Sequence, residues 1–225
     1  MDSNLIFEYQ SNILTPNFLE HVIKRFDEDD RKHDGVLGKG KINKDIKVST
    51  DLHISRFPDW NSEDKIFNQA LYEALNNYKC YLEDMNPYLF PFYDSITGVK
   101  DSGYQIQKTP PGGYYHWHSD EYSFCYHDSI MKQTKNYTRG LTYIFYLNDV
   151  HEDGYTEFID GTRIQPQQGK YLIFPATWSY VHRGYPPKSE DKYIATGWIL
   201  STQLFDDSLE LPFFTQRKGL FKGRL

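Results

Sequence analysis

The sequence predicts a mainly β domain backed by a pair of supporting α-helices. Three observations carry this. The chain of 225 residues holds 19 Tyr, 15 Phe and 4 Trp, and aromatic side chains suit the half-buried, pleated surface of a sheet. From about residue 96, short segments alternate apolar and polar positions with period two, and Gly, Pro and Asp/Asn turns separate them. Before that point, two stretches repeat apolar residues at helical spacing instead. A series of short strands with turns between them marks a sandwich, a jelly roll or a barrel.

The elements follow in order. In "LTPNFLEHVIKRFDED", Thr15 stands at the N-cap and Pro16 at the first helical position, as helix starts prefer. Phe18, Leu19, Val22, Ile23 and Phe26 then form one stripe. Residues 29–47 are charged and glycine-containing and read as an exposed loop; "VSTDLHIS" reads as an edge strand. "SEDKIFNQALYEALNNYKCYLED" is a second helix, with Ser62 as its cap and Ile66, Phe67, Ala70, Leu71, Ala74, Leu75 and Tyr78 on one face. The aromatic run "FPFYDSI" reads as core or lid packing. Strands are expected at "GYQIQK", "YYHWHSD", "GLTYIFYLN", "YTEFI", "GTRIQP", "KYLIFP", "VHRGY" and "KYIATGWIL". Residues 1–95 are thus a helical support, 96–203 the β core and 204–225 a tail, within one domain.

Bulk properties narrow the function classes. A net charge of -6 and a pI near 5.7 argue against a general nucleic-acid binder, which needs a basic face. The basic tail "TQRKGLFKGRL" reads as a solvated terminus. Cys80 and Cys125 are too few for a disulfide framework, and reduced thiols fit a cytoplasmic location. "MDSNLIFEYQ" has no basic start followed by an apolar run, so no secretion signal is expected. No stretch approaches 18 apolar residues, so no membrane partner is expected either.

The chemistry lies in "GGYYHWHSDEYSF", residues 112–124. Side chains at i and i+2 share a face of a strand, which aims His118 and Asp120 the same way. His151 sits in a polar turn, "NDVHEDGY", whereas His182 follows a strand and a Pro corner and can return to the site. Two histidines and a carboxylate make a facial triad, the donor set of non-haem Fe(II) oxygenases. It leaves three positions open on one side of the ion, enough for a bidentate 2-oxo acid and O2. Lys192 lies ten residues after His182 and starts a strand whose same-face residues are Ile194, Thr196 and Trp198. A lysine entering an apolar strand is costly unless paired. The far carboxylate of a 2-oxo diacid would be its partner, with the Thr196 hydroxyl beside it.

Residues 104–200 resemble the Fe(II)- and 2-oxoglutarate-dependent oxygenases, in particular the prolyl 4-hydroxylase-like branch. "PGGYYHWHSD" resembles that branch's Gly-x-x-Tyr-x-x-His-x-Asp element, with Gly112, Tyr115, His118 and Asp120 in register. "RGLTYIFYLND", "GYTEF", "GKYLIFPA", "HRGYPP" and "DKYIATGW" resemble the segments that follow it in the family. The resemblance implies a double-stranded β-helix (jelly roll) with helices on its outer face. It implies Fe(II) on His118, Asp120 and His182, and 2-oxoglutarate on Lys192, Tyr146 and Thr196. It further implies O2 as oxidant, ascorbate as reductant, and hydroxylation of an unactivated C–H bond with release of succinate and CO2. The substrate class is a prolyl or other amino-acid side chain of a peptide, or a small molecule. The chain departs from the family at Thr109, where a tyrosine is usual and Gln107 is a candidate substitute, and at Tyr155, the second position of a Gly-Gly turn.

Two other readings stand beside this one. His116 shares the predicted face of His118 and could serve a cupin-type metal dioxygenase; otherwise it is pocket wall. A non-catalytic jelly-roll module binding a sugar or peptide has no use for a triad plus a buried lysine. Arg139 and Trp198 are candidates for the substrate entrance, and residues 29–47 and 121–138 for loops closing over it. His21, His33, His53, His127 and His151 read as surface residues.

Overall fold

The computed structural model describes residues 5–89, 100–128 and 133–203. The run "FPFYDSI" and the basic tail lie outside them, as do the side chains of Cys125 and His127. In chain order, β1 (Phe7–Gln10) precedes α1 (Pro16–Glu28). Short strands β2 (His33–Asp34), β3 (Val36–Leu37) and β4 (Lys41–Ile42) lead to β5 (Thr50–His53) and α2 (Asn61–Met85). Then come β6 (Lys100–Asp101), β7 (Gln105–Thr109), β8 (Tyr115–His118), β9 (Ser123–Asp128) and β10 (Gln133–Tyr146). The series closes with β11 (Thr156–Phe158), β12 (Arg163–Ile164), β13 (Lys170–Pro175), β14 (His182–Gly184) and β15 (Lys192–Gln203).

Two antiparallel sheets face each other as in a jelly roll. The major sheet runs β1-β13-β10-β15-β7-β5-β2, and the minor sheet β12-β11-β14-β8. Period-two alternation sorts the major strands' side chains between two cores. Leu141, Tyr143, Phe145, Tyr171, Ile173, Tyr193 and Ala195 point outward and pack with Leu19, Val22 and Phe26 of α1 and Phe67, Ala70 and Ala74 of α2. Ile144, Tyr146, Leu172 and Phe174 point inward and meet Phe158 and Ile164 of the minor sheet. The intervening inward positions of β7 and β15 line a pocket.

Helix α1 starts as its sequence dictates. The Thr15 hydroxyl accepts from the Phe18 N–H, a cap contributing about 1 kcal/mol. Helix α2 starts earlier than expected. A 3-10 turn over Pro58–Trp60 runs straight into it, so the N-cap position is Trp60. Ser62 therefore falls inside the first turn, where its hydroxyl donates to Glu63.

Three further expectations change. "VSTDLHIS" contributes β5, which is not the sheet edge, because β2 pairs with its free side. His53, within β5, is half-buried rather than exposed, and burial pushes its pKa down to about 4. Within the expected loop 121–138, residues 123–128 and 133–138 are strand instead: β9 pairs with the first half of β10 antiparallel. Among the described residues, no helix is long and apolar enough to cross a membrane.

Candidate active site

The pocket opens between the two sheets and is lined by residues of both. His118, Asp120 and His182 converge in it, with one donor atom from each within 4.8 Å of the others. Register brings the histidines together: His182 of β14 sits directly opposite His118 of β8. Nε2 of each imidazole is 3.8 Å from a different oxygen of Asp120.

Hydrogen bonding assigns the tautomers. His118 Nδ1 lies 2.8 Å from the His116 carbonyl and His182 Nδ1 lies 3.0 Å from the Tyr180 carbonyl. Each Nδ1–H must donate there, which leaves each Nε2 as the nitrogen that faces the carboxylate. That is the form in which histidine binds a metal. Burial, with the neighbouring His182 adding to it, pushes the His118 pKa down to about 4 and keeps the ring neutral. Burial alone would raise Asp120. Positive charge at His182 and His118 and a 2.7 Å hydrogen bond from the Thr142 hydroxyl outweigh it and lower the pKa; a divalent cation held by neutral imidazoles supplies the same kind of charge. Two imidazole nitrogens and one carboxylate suit a borderline divalent cation such as Fe(II).

Lys192 enters the same pocket. Its side chain is buried, and burial is the only cause acting on its pKa, which falls to about 7. Its ammonium stands 5.7 Å from the Tyr146 ring. Among the described residues no carboxylate pairs with it. Ile194, Thr196 and Trp198 line the wall beside it, as the strand period requires. Their hydroxyl is committed elsewhere, however: Thr196 donates to the Tyr143 carbonyl at 2.8 Å and has no proton left for a carboxylate. Tyr146 is fully buried behind the wall, its hydroxyl 2.8 Å from that of Thr156. Thr156 itself lines the pocket, as do Gln107 and Thr109 on the strand next to Lys192. Thr156 is a site residue that the sequence does not single out, although it lies within the quoted "GYTEF". The Gly-Tyr turn before it holds: Gly154 takes a positive φ of 68°, and Tyr155 stacks on Tyr185 at 4.4 Å.

His116 is not pocket wall. Between His182 and Gly184, β14 advances two residues while β8 advances from His118 back to Tyr115, three residues. This is a β-bulge, which re-aims side chains beside it. Tyr115 and His118 both face the pocket as a result, with rings stacked at 3.6 Å, while His116 is exposed. A cupin-type donor set that includes His116 therefore does not form. At the other side of Asp120, Arg139 donates to its backbone carbonyl at 3.3 Å. The guanidinium lies over the Trp198 ring at 3.3 Å and near Tyr122 at 5.2 Å. The Trp198 indole N–H faces Asp120 without meeting hydrogen-bond geometry.

Residues 104–200 match the model of the 2OG-Fe(II) oxygenase superfamily. No curated protein matches the sequence. Solved structures share the fold. The viral collagen prolyl hydroxylase of Paramecium bursaria Chlorella virus-1, in its 2OG complex, is 20% identical at a TM-score of 0.59, covering 89% of this chain and 98% of its own. A Trichoplax adhaerens prolyl hydroxylase in complex with a hypoxia inducible factor oxygen degradation domain peptide fragment is 14% identical at 0.64, covering 89% and 85%. A Pseudomonas putida prolyl-4-hydroxylase is 16% identical at 0.56, covering 88% and 93%. The resemblance read from the motifs is thus shared by the family model and by the fold.

Proposed function

We propose, on the premise that residues 104–200 form a 2OG-Fe(II) oxygenase domain, that the protein is an Fe(II)- and 2-oxoglutarate-dependent dioxygenase hydroxylating a peptidyl side chain. The observation that carries this is the pairing of a three-donor cluster with a buried ammonium that has no carboxylate partner among the described residues, in one pocket. Either alone has ordinary explanations; together they match a metal-chelated diacid.

His118, Asp120 and His182 would hold Fe(II), and Lys192 would bind the far carboxylate of 2-oxoglutarate. Bound Fe(II) and 2-oxoglutarate supply the oxidation: one atom of O2 ends in succinate, with CO2 lost, and the other in a hydroxyl on the substrate. The chain's own work is to hold and exclude. Thr142 fixes the Asp120 carboxylate, and the two backbone carbonyls fix the imidazoles. Phe158 and Phe174 pack against His182 and keep water from its outer side. Thr156 and Gln107 line the wall beside Lys192 and stand in for the tyrosine absent at Thr109, with Tyr146 bracing Thr156. Thr196 shapes the wall without donating. Trp198, with Arg139 across its face, forms the substrate side of the pocket, and the aromatic rim with one guanidinium suits a proline-containing peptide. Ascorbate would serve as the reductant that restores Fe(II).

The test is direct. Protein purified without air, given Fe(II), 2-oxoglutarate and O2, should form succinate, and His118→Ala should lower that rate by at least a hundredfold. Proline-rich peptides should raise the rate and gain one oxygen by mass spectrometry. Wild-type protein that forms no succinate and shows no Fe(II)-dependent 2-oxoglutarate binding sinks the reading. A milder change probes the carboxylate's support. Thr142→Val should weaken Fe(II) about tenfold by calorimetry, the usual effect of losing an outer hydrogen bond, and leave the melting curve cooperative.

A further inference from the structure

The segment at residues 46–53 stitches the two sheets together at the pocket. Its first half pairs with β8: His116 N–H donates to the Ile46 carbonyl at 2.9 Å, and Val48 N–H to the Tyr114 carbonyl at 2.7 Å. Lys47 sits opposite Tyr115 between those two bonds. Its second half is β5, which pairs with β7. At the corner lies an ion pair that the proposed chemistry does not use. Lys47 Nζ is 2.7 Å from Asp51 Oδ2, and their side chains are 3% and 0% exposed. Ser49 donates to the other oxygen of Asp51 at 2.7 Å. Gln105 reaches Asp51 at 3.3 Å and accepts from Gln107 of the pocket wall at 3.0 Å. Gly35 is pressed against the pair: a Cβ there would come within 2.3 Å of Ser49 Oγ and 2.9 Å of Lys47 Cε.

A buried ion pair is a poor route to stability alone, since apolar residues of similar volume often do as well. Its surroundings give it another task. Lys47 Nζ stands over the Tyr115 ring, 5.2 Å from its centre, and that ring is stacked on His118 at 3.6 Å and 17°. We propose that Lys47 is a positioning residue for the metal centre. Anchored by Asp51, it fixes the Tyr115 ring against which the His118 imidazole lies, and so sets the direction of the His118 lone pair. Among the described residues His118 is otherwise held by its Nδ1 bond and by a tilted contact with the His182 ring at 4.3 Å, and it is the flat stack on Tyr115 that sets its tilt about that bond. The inference rests on the proposed metal site.

Mn(II) binding, followed by the EPR signal of the free ion, tests it without turnover. Lys47→Met should weaken Mn(II) about tenfold, within the range seen for outer-shell partners of a ligand, and Lys47→Arg should recover much of the loss. Tyr115→Leu should reproduce the effect, and the double variant should be no worse than either single, because both act through one ring. A core variant remote from β8, Leu71→Ala in α2, supplies the control: it should lower the melting temperature yet keep Mn(II) affinity. If Lys47→Met leaves affinity unchanged, or if affinity follows melting temperature equally in Leu71→Ala, or if the two losses add in the double variant, the proposal is overturned. Wild-type protein that fails to bind Mn(II), or binds it equally well as Asp120→Ala, overturns the metal site and this inference with it.

Discussion

Lys192→Met should raise the melting temperature of the ligand-free protein while abolishing its 2-oxoglutarate binding. The two effects share one cause. In the folded chain the Lys192 ammonium is stripped of water and has no counter-ion among the described residues, and its pKa falls from 10.5 to about 7. Between those values the unfolded chain holds a proton that the folded chain has released. Stability therefore climbs as pH rises from 7 to 10.5, and below 7 the folded protein carries the full desolvation penalty. Each tenfold loss of proton affinity corresponds to about 1.4 kcal/mol, so the penalty is on the order of a few kcal/mol at neutral pH. An isosteric apolar side chain removes it, and a chain of this size gains about 2–4 °C per kcal/mol.

Binding should show the converse dependence. The diacid needs the ammonium, so wild-type affinity should be flat below pH 7 and weaken above it as binding comes to require proton uptake. Lys192→Arg stays charged and should bind weakly but without that pH dependence. Thermal melts across pH, with calorimetric titration of 2-oxoglutarate, check all three. A Met variant that melts lower and still binds the diacid would assign Lys192 to plain structure.

The legible parts of this protein are those where local pattern and tertiary demand agree. The strands of the second half are readable because turn residues bound each one and alternation divides its side chains between two cores, as Tyr143 and Ile144 show. The triad is readable for the same reason: a stiff strand carries its first ligand, and register places His182 opposite. Strand β1 is not, because four residues with mostly exposed side chains become a strand only by pairing with β13. The exposure of His116 is not, since the bulge that turns it outward depends on how β8 meets β14. The Thr196 hydroxyl reads as a ligand donor because period two gives its direction but not its nearest acceptor. Lys47 and Asp51 are hidden by composition. Lys47 ends a stretch of charged residues that reads as solvated, Asp51 lies in a segment that reads as an edge strand, and only the corner between two sheets makes the two a buried pair.

The second large effect has the opposite sign in stability. Asp120→Ala should lose Fe(II) affinity and succinate formation by at least a hundredfold and should also destabilise the ligand-free protein. Asp120 is buried as Lys192 is, yet the fold compensates it: Thr142 donates to it at 2.7 Å, and the site holds its pKa below the ordinary carboxylate value despite burial. Truncation leaves the Thr142 hydroxyl buried without its acceptor, and an orphaned buried donor costs about 1–3 kcal/mol. Proton linkage adds to that loss in the same direction. A carboxyl with a depressed folded pKa contributes stability that is present above its ordinary value of 3.8 and is lost as pH falls through the folded one. The wild-type advantage over Asp120→Ala should therefore persist at pH 7 and shrink in acid. Two buried charges in one pocket thus report different origins. The carboxylate is supported before any metal arrives, whereas the ammonium is unsupported until a diacid does. Melting curves of the two variants, taken without metal or 2-oxoglutarate, should move in opposite directions. Curves that move together would mean that the pocket is not built to receive an anion at Lys192.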